Sequence, residues 1–403
     1  MEEFILSDIV FSNKVKDIKP SPIREVAIKG ASVPNFISLA LGSPAPESFP
    51  EEELKQTVLE ILNEDSSRIF QYGNTNGVKD LIDIIKVRMN KYHNVDFNQN
   101  DVLIVTGSQQ GLDIAPRVFC NEGEGVFCDQ FTFTGALCAM KTSGVTGIGV
   151  EADQFGMIPE SLLEKIENNP NGKYIYLIPN FHNPTGITIP IERRKVIYEI
   201  ALKHNLIIYE DDPYGDINFE KKVDSFKSMD NHNIVVYAGS FSKTLAAGLR
   251  VGFICAEKAI IEKFAPVKGF TDSQTPAITQ LMISNYIKKY DYEKHLEFVR
   301  NIYKAKCETM ISALDLYMHK SVKKTYPKGG MFVWITMPEY VDCRAFAEEA
   351  IQNGVGIVHS SAFSTDEKNE GNSFRLNYSS NSKENIEKAI RKLGELSYKY
   401  CQD

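Results

Sequence analysis

From residue 101 onward the chain alternates short apolar runs with longer stretches of helical spacing. Val102–Val105, Val126–Cys128, Val145–Val150, Tyr174–Ile178, Leu206–Tyr209, Val235–Ala238 and Val251–Cys255 are the apolar runs, bounded by Gly, Ser, Pro or acidic residues. Runs of this length predict strands covered on both faces. Between them, helical spacing starts at Gly107-Ser108, Thr134, Pro159 and Pro190. Strands alternating with helices predict an α/β fold on a mostly parallel sheet. Upstream, Leu54, Val58, Ile61 and Leu62 mark a helix over Glu51–Asn63, and another spans about Val78 to Tyr92. Downstream, the chain reads as helical from about Gln274 to Leu316. Strand-like runs then follow at Met331–Thr336, Gly356–Val358 and Phe374–Asn377, with helices at about Cys343–Asn353 and Glu384–Tyr398. This pattern predicts a large domain over 45–285 and a smaller α+β domain that joins 1–44 to 286–403.

Composition narrows the class. A chain of 403 residues, 43% hydrophobic and 24% charged, has ample core for two soluble units. The net charge of −8 argues against a general nucleic-acid binder. No apolar run approaches the length of a membrane span, and the acidic Met-Glu-Glu start lacks the order of a signal peptide. Seven scattered cysteines, with no CxxC, fit reduced thiols in a cytoplasm and suggest no metal site.

The chemistry concentrates at Ser240-Phe241-Ser242-Lys243, with Arg250 seven residues beyond the lysine, in a loop between two apolar runs. A lone loop lysine is usually a solvated charge. Shielded from water, however, its amine sheds its proton more easily and can condense with an aldehyde. Arginine and hydroxyls suit phosphate oxygens. Gly107-Ser108-Gln109-Gln110 lies where a strand gives way to a helix; by itself it is most simply a cap, but such a turn can also cradle phosphate. Asn183-Pro184-Thr185-Gly186 is a turn sequence whose asparagine amide can reach a ligand oxygen. Glu210-Asp211-Asp212 reads by itself as a solvated loop. A carboxylate at a sheet's carboxyl edge can instead meet a ligand, and Tyr214 follows close behind. Arg375 sits in the strand-like Phe374-Arg375-Leu376-Asn377; most such arginines are edge or salt-bridge residues, though a carboxylate clamp requires this side chain.

Taken in order, these motifs resemble the fold-type I aminotransferases of class I/II, which depend on pyridoxal 5′-phosphate (PLP). The resemblance runs from Ser21-Pro22-Ile23-Arg24 to Arg375. It is strongest to the branch of 2-aminoadipate, kynurenine and broad-specificity aromatic aminotransferases. It implies that Lys243 carries PLP and moves the substrate proton, with Asp211 on the pyridine nitrogen. Asn183 and Tyr214 then face the ring oxygen, and Ser108, Gln109, Ser240, Ser242 and Arg250 hold the phosphate. Arg375, helped by Asn183 and the backbone at Gly42, takes the substrate α-carboxylate. Tyr72 matches a tyrosine contributed across a homodimer interface, and Arg24 a cation that serves acidic side chains. The substrates implied are an amino acid and a 2-oxo acid.

One position departs from the family. Phe131-Thr132-Phe133 stands where the family often has Pro-Thr-Tyr, so Phe133 keeps an aromatic face without a hydroxyl. His182, beside Asn183, reads as loop packing. Two rivals share the resemblance: a PLP-dependent lyase or cyclopropane-forming synthase, and a PLP-sensing domain of a winged-helix regulator. Only about 40 residues precede Gly42, which speaks against the regulator.

Overall fold

In a computed structural model, residues 11–402 are described except 17, 19, 65–66, 367 and 369–370. Its centre is a seven-stranded sheet. In spatial order the strands are Asn100–Val105, Gly252–Glu257, Val235–Ser240, Ile207–Asp211, Gly172–Leu177, Gly125–Asp129 and Thr146–Val150. Gly252–Glu257 runs antiparallel to both neighbours and the remaining pairs are parallel. Helices cover both faces, so most strand residues are buried on either side, and the apolar runs do not alternate. One face of the sheet packs Tyr174, Tyr176, Tyr209 and Ile254; the other packs Ile175, Leu177, Ile208 and Val235.

A second, four-stranded sheet has the order Lys323–Lys324, Phe332–Thr336, Ser373–Asn377, Val358–His359. The N-terminal segment joins it through Ile37–Ser38, which pairs in parallel with Val355–Gly356. Leu39 and Ala45 share a core with Val299, Tyr303, Val333, Leu376 and Leu393. Helix Tyr292–Tyr317 packs on Lys383–Tyr400. Both helices start from side-chain caps: Asp291 accepts from the Lys294 amide and Ser382 from the Asn385 amide.

The structure differs from the sequence expectation mainly in its helices. A helix at Lys258–Asp272 precedes the expected start at Gln274, and the single helical stretch is two, Ala277–Lys289 and Tyr292–Tyr317. Glu257 caps the first of these through the Ala259 amide, directly after a strand, and such an abrupt change of period hides the boundary. Among the described residues no helix is long and apolar enough to cross a membrane, and all seven cysteines are free.

Candidate active site

The site lies at the carboxyl ends of the parallel strands and is also lined by Phe332 and Arg375 from the two central strands of the four-stranded sheet. Strand Ile207–Asp211 ends in Glu210 and Asp211, Asp212 follows directly, and all three acids are buried. They form no solvated loop. Glu210 points to one face, where both oxygens accept backbone N–H groups from Phe226 and Lys227 at 2.9 Å. Asp212 accepts from Asn180 at 2.9 Å and from the Tyr237 hydroxyl at 3.0 Å. Asp211, 2% exposed, takes one hydrogen bond, from the Tyr176 hydroxyl to Oδ2 at 2.9 Å. Its Oδ1 has no partner among the described residues, and Asp211 lines the site cavity. Burial pushes the Asp211 carboxyl up to about 7, against the Tyr176 hydrogen bond, with the neighbouring Asp212 charge adding to the rise. A carboxylate left half-satisfied in a dry wall is suited to a protonated nitrogen.

Arg375 is the counterpart in the second sheet. Its strand lies between Phe332–Thr336 and Val358–His359, so it is an interior residue rather than the edge arginine of the simpler reading. It is 1% exposed. Its guanidinium donates to Asn183 Oδ1 at 2.7 Å and to the Ala40 carbonyl, while Nε has no partner. Phe332 and Phe363 lie 4.3 and 4.8 Å from it, ring centroid to guanidinium carbon. Among the described residues no acid pairs with it. Burial lowers it to about 10, the direction expected of a cation lacking its anion.

Lys243 follows strand Val235–Ser240, which pairs with the returning Gly252–Glu257 so that Ser240 opposes Gly252. Its Nζ donates to the Gly42 carbonyl at 2.9 Å, tying the lysine loop to the N-terminal segment. Burial, then the charges of Arg250 and Arg375, lower the ammonium to about 8. A useful fraction of neutral, nucleophilic amine therefore exists near neutral pH.

Arg250 closes the far end. It adopts a left-handed backbone (φ 53°), and its guanidinium donates to Ser242 Oγ at 3.3 Å and the Ala247 carbonyl at 3.2 Å. The guanidinium lies over Gly107, at the N-terminus of helix Ser108–Phe119, where a Cβ would overlap it. Gly107 itself has φ 72°, a region that favours glycine. Ser240 Oγ accepts from the Ser242 amide at 3.1 Å. Helix N–H groups, serines and an arginine meet here to form an anion cradle.

One cavity of about 230 Å³ brings together Gly42, Ser108, Gln109, Phe133, Asn183, Asp211, Tyr214, Ser240, Ser242, Lys243, Arg250 and Arg375. Two predicted residues lie elsewhere. Tyr72 is 82% exposed and outside the cavity, and Arg24 is exposed on helix Pro22–Gly30, whose Ile23 is the residue that lines the wall. Gln109 spends its amide on the Gly135 carbonyl at 3.0 Å. His182 is buried and held neutral by burial; it hydrogen-bonds Thr185 at 2.9 Å, as loop packing requires. Sequence reasoning missed Ile178, Pro213 and Phe332 in the wall, and Tyr176 behind Asp211. Strand alternation offered a signal for Tyr176, since it shares a sheet face with Asp211.

The comparisons with known proteins agree with this geometry. Residues 34–393 match the family described as Aminotransferase class I and II. Aromatic-amino-acid aminotransferase 1 of Thermococcus litoralis is 35% identical over 96% of this chain and 93% of its own. The crystal structure of Pyrococcus horikoshii kynurenine aminotransferase superposes with a TM-score of 0.93 at 33% identity, covering 98% of each chain. The α-aminoadipate aminotransferase of Thermus thermophilus, solved with N-(5′-phosphopyridoxyl)-L-leucine, gives 0.88 at 32% identity over 97% of each. The chain belongs to the class I and II aminotransferases. It is a PLP-dependent enzyme of fold type I that transfers amino groups between amino acids and oxo acids. These relatives favour the aminotransferase over the lyase, synthase and regulator readings.

The residues present fit that cofactor. The free Asp211 oxygen, the Lys243 amine and the cradle of Arg250, Gly107 and the serines are the three docking points it needs. When bound, PLP supplies a protonated ring that accepts electron density from the substrate's α-carbon.

Proposed function

We propose that this enzyme moves the amino group between long-chain L-amino acids, aromatic or 2-aminoadipate-like, and 2-oxoglutarate. In this reading Lys243 holds the cofactor and relays the substrate proton, while Asp211 pairs with the ring nitrogen. Asn183 and Tyr214 serve the ring oxygen, and Ser108, Gln109, Ser240, Ser242 and Arg250 the phosphate. Phe133 lines the ring face. The observation that carries the reading is Arg375: a fully buried guanidinium with aromatic walls and no acid partner calls for a carboxylate from outside. Both half-reactions present an α-carboxylate, so one arginine serves both.

Side-chain range rests on the apolar part of the wall. Ile23, Phe133 and Phe332 offer apolar surface suited to aromatic or aliphatic chains. Arg24, one residue beyond Ile23, is exposed, and in this reading it would meet an acidic side chain if the short helix shifts. The aromatic, kynurenine and α-aminoadipate names of the relatives point the same way. The division into domains at about residues 45 and 285, the cytoplasmic location and a homodimer with shared sites belong to the same proposal. Tyr72, exposed on its own chain, would serve the partner's phosphate.

The test is a panel of amino acids assayed with 2-oxoglutarate. Turnover is expected with aromatic and 2-aminoadipate donors, and Arg24→Ala should raise KM for the dicarboxylic donors alone. Turnover confined to small amino acids, or an equal loss for both groups, would count against the proposed range.

A further inference from the structure

We propose that Tyr176 is a positioning residue for the cofactor site: its hydroxyl locks the Asp211 carboxylate so that Oδ1 faces the cavity and the shared proton stays on the ring nitrogen. This rests on the assignment of Asp211 to that nitrogen.

The placement follows from the sheet. Strand Gly172–Leu177 lies beside Ile207–Asp211 with Tyr176 opposite Tyr209. Side chains alternate between faces, so Tyr176, Tyr209 and Asp211 point to the same side, with Tyr176 diagonal to the acid. Tyr176 is fully buried, and its hydroxyl donates to Asp211 Oδ2 at 2.9 Å. Tyr209 has the same orientation and burial, yet its hydroxyl has no partner among the described residues. Proximity to Asp211 is therefore insufficient, and Tyr176 alone of the pair makes the bond.

The chemistry follows from which groups oppose one another. Burial and the neighbouring Asp212 both favour a protonated Asp211. Asp212 is committed to Asn180 and Tyr237 and cannot turn to help. The Tyr176 hydroxyl is the group that favours the carboxylate. Burial holds the Tyr176 phenol well above its ordinary range, so it remains a donor and never competes as an anion. A donor on Oδ2 lowers the proton affinity of the whole carboxylate. A proton shared between Oδ1 and a ring nitrogen then rests on the nitrogen, the form in which the ring withdraws electrons.

Tyr176→Phe removes one hydroxyl and keeps the ring. In holoenzyme reconstituted with ¹⁵N-labelled PLP, the ring-nitrogen shift should move from the pyridinium toward the neutral pyridine position. The kcat should fall about tenfold while KM for the amino donor stays within about twofold, since the lost interaction serves the chemical step. The melting temperature of the variant reports whether folding is intact. In an Asp211→Asn background the same change should cost nothing further in kcat. An unchanged ¹⁵N shift overturns the proposal whatever happens to kcat, because a structural loss would leave the proton in place. Additive losses in the double variant overturn it as well. If Asp211→Asn alone leaves the shift and kcat near normal, the underlying assignment of Asp211 has failed instead.

Discussion

Two buried arginines and two buried acids divide the molecule into a half that holds itself together and a half built to hold something else. Arg194 and Arg375 are 0% and 1% exposed. Arg194 donates to the carbonyls of Ile189, Pro179 and Asp224 and to Asn180 Oδ1, with Glu210 4.0 Å away. Arg375 has two acceptors and, among the described residues, an idle Nε and no acid. The acids repeat the contrast. Glu210 and Asp211 are neighbours on opposite faces of one strand, and burial raises both to about 7. Glu210 is satisfied by two backbone amides, whereas Asp211 keeps one oxygen free. A perturbed pKa is thus common to both faces, and only unsatisfied valence separates a binding group from a structural one.

Substitutions should separate the two faces. The largest expected effect is at Asp211: Asp211→Asn should lower kcat by about 10³-fold through loss of a preorganised charge at the reacting ring. Its melting temperature should hold or rise. Glu210→Gln should do the reverse, sparing kcat but costing about 2 kcal/mol in urea unfolding, because an amide NH₂ would face the Phe226 or Lys227 N–H. Equal effects on kcat would erase the distinction.

Next in size, Arg375→Ala should reduce kcat/KM for every amino acid by roughly 10²-fold, the scale of a lost charge-assisted bidentate contact. Arg194→Met should instead destabilise the fold by about 3 kcal/mol, since three carbonyls and Asn180 Oδ1 lose their donor and Glu210 loses its neighbouring cation. A stable Arg194→Met enzyme with poor kcat/KM would place that arginine in the wrong half.

The smallest effect is one of pH. Lys243 is depressed to about 8, so its neutral fraction rises as pH climbs through that value. Asp211 ionises through about 7, in the same direction. Capture of PLP by the apoenzyme should therefore quicken roughly tenfold between pH 7 and pH 9, as the free-amine fraction does for a group of that pKa. Stopped-flow absorbance would follow it, and a rate that falls with pH would sink the assignment of Lys243.

Much of this was legible in the order of residues. Apolar runs of strand length, each bounded by Gly, Ser, Pro or acidic residues, determined the parallel sheet, because such runs can only be buried on both faces. Lys243, Arg250, Asn183 and Asp211 were each visible as a residue type at a turn or strand end, and Arg375 as an arginine within a strand-like run. The helix boundary near residue 258 was not visible, since a strand passes into a helix there without a break in apolar content.

What the sequence by itself determined was the inventory: an amine, an acid, two arginines and a set of hydroxyls, in loops, at a strand end and within a strand-like run. Which of the buried charges are complete and which are left open was decided only by the tertiary structure. Arg194 falls in the helical stretch from Pro190 and Arg375 in a strand-like run, and neither pattern tells which arginine is satisfied. One is filled by carbonyls from its own surroundings, and the other has two acceptors and an Nε that finds none among the described residues. That difference depends on contacts between Arg375 and residues as distant as Ala40 and Asn183, and local spacing carries no record of them.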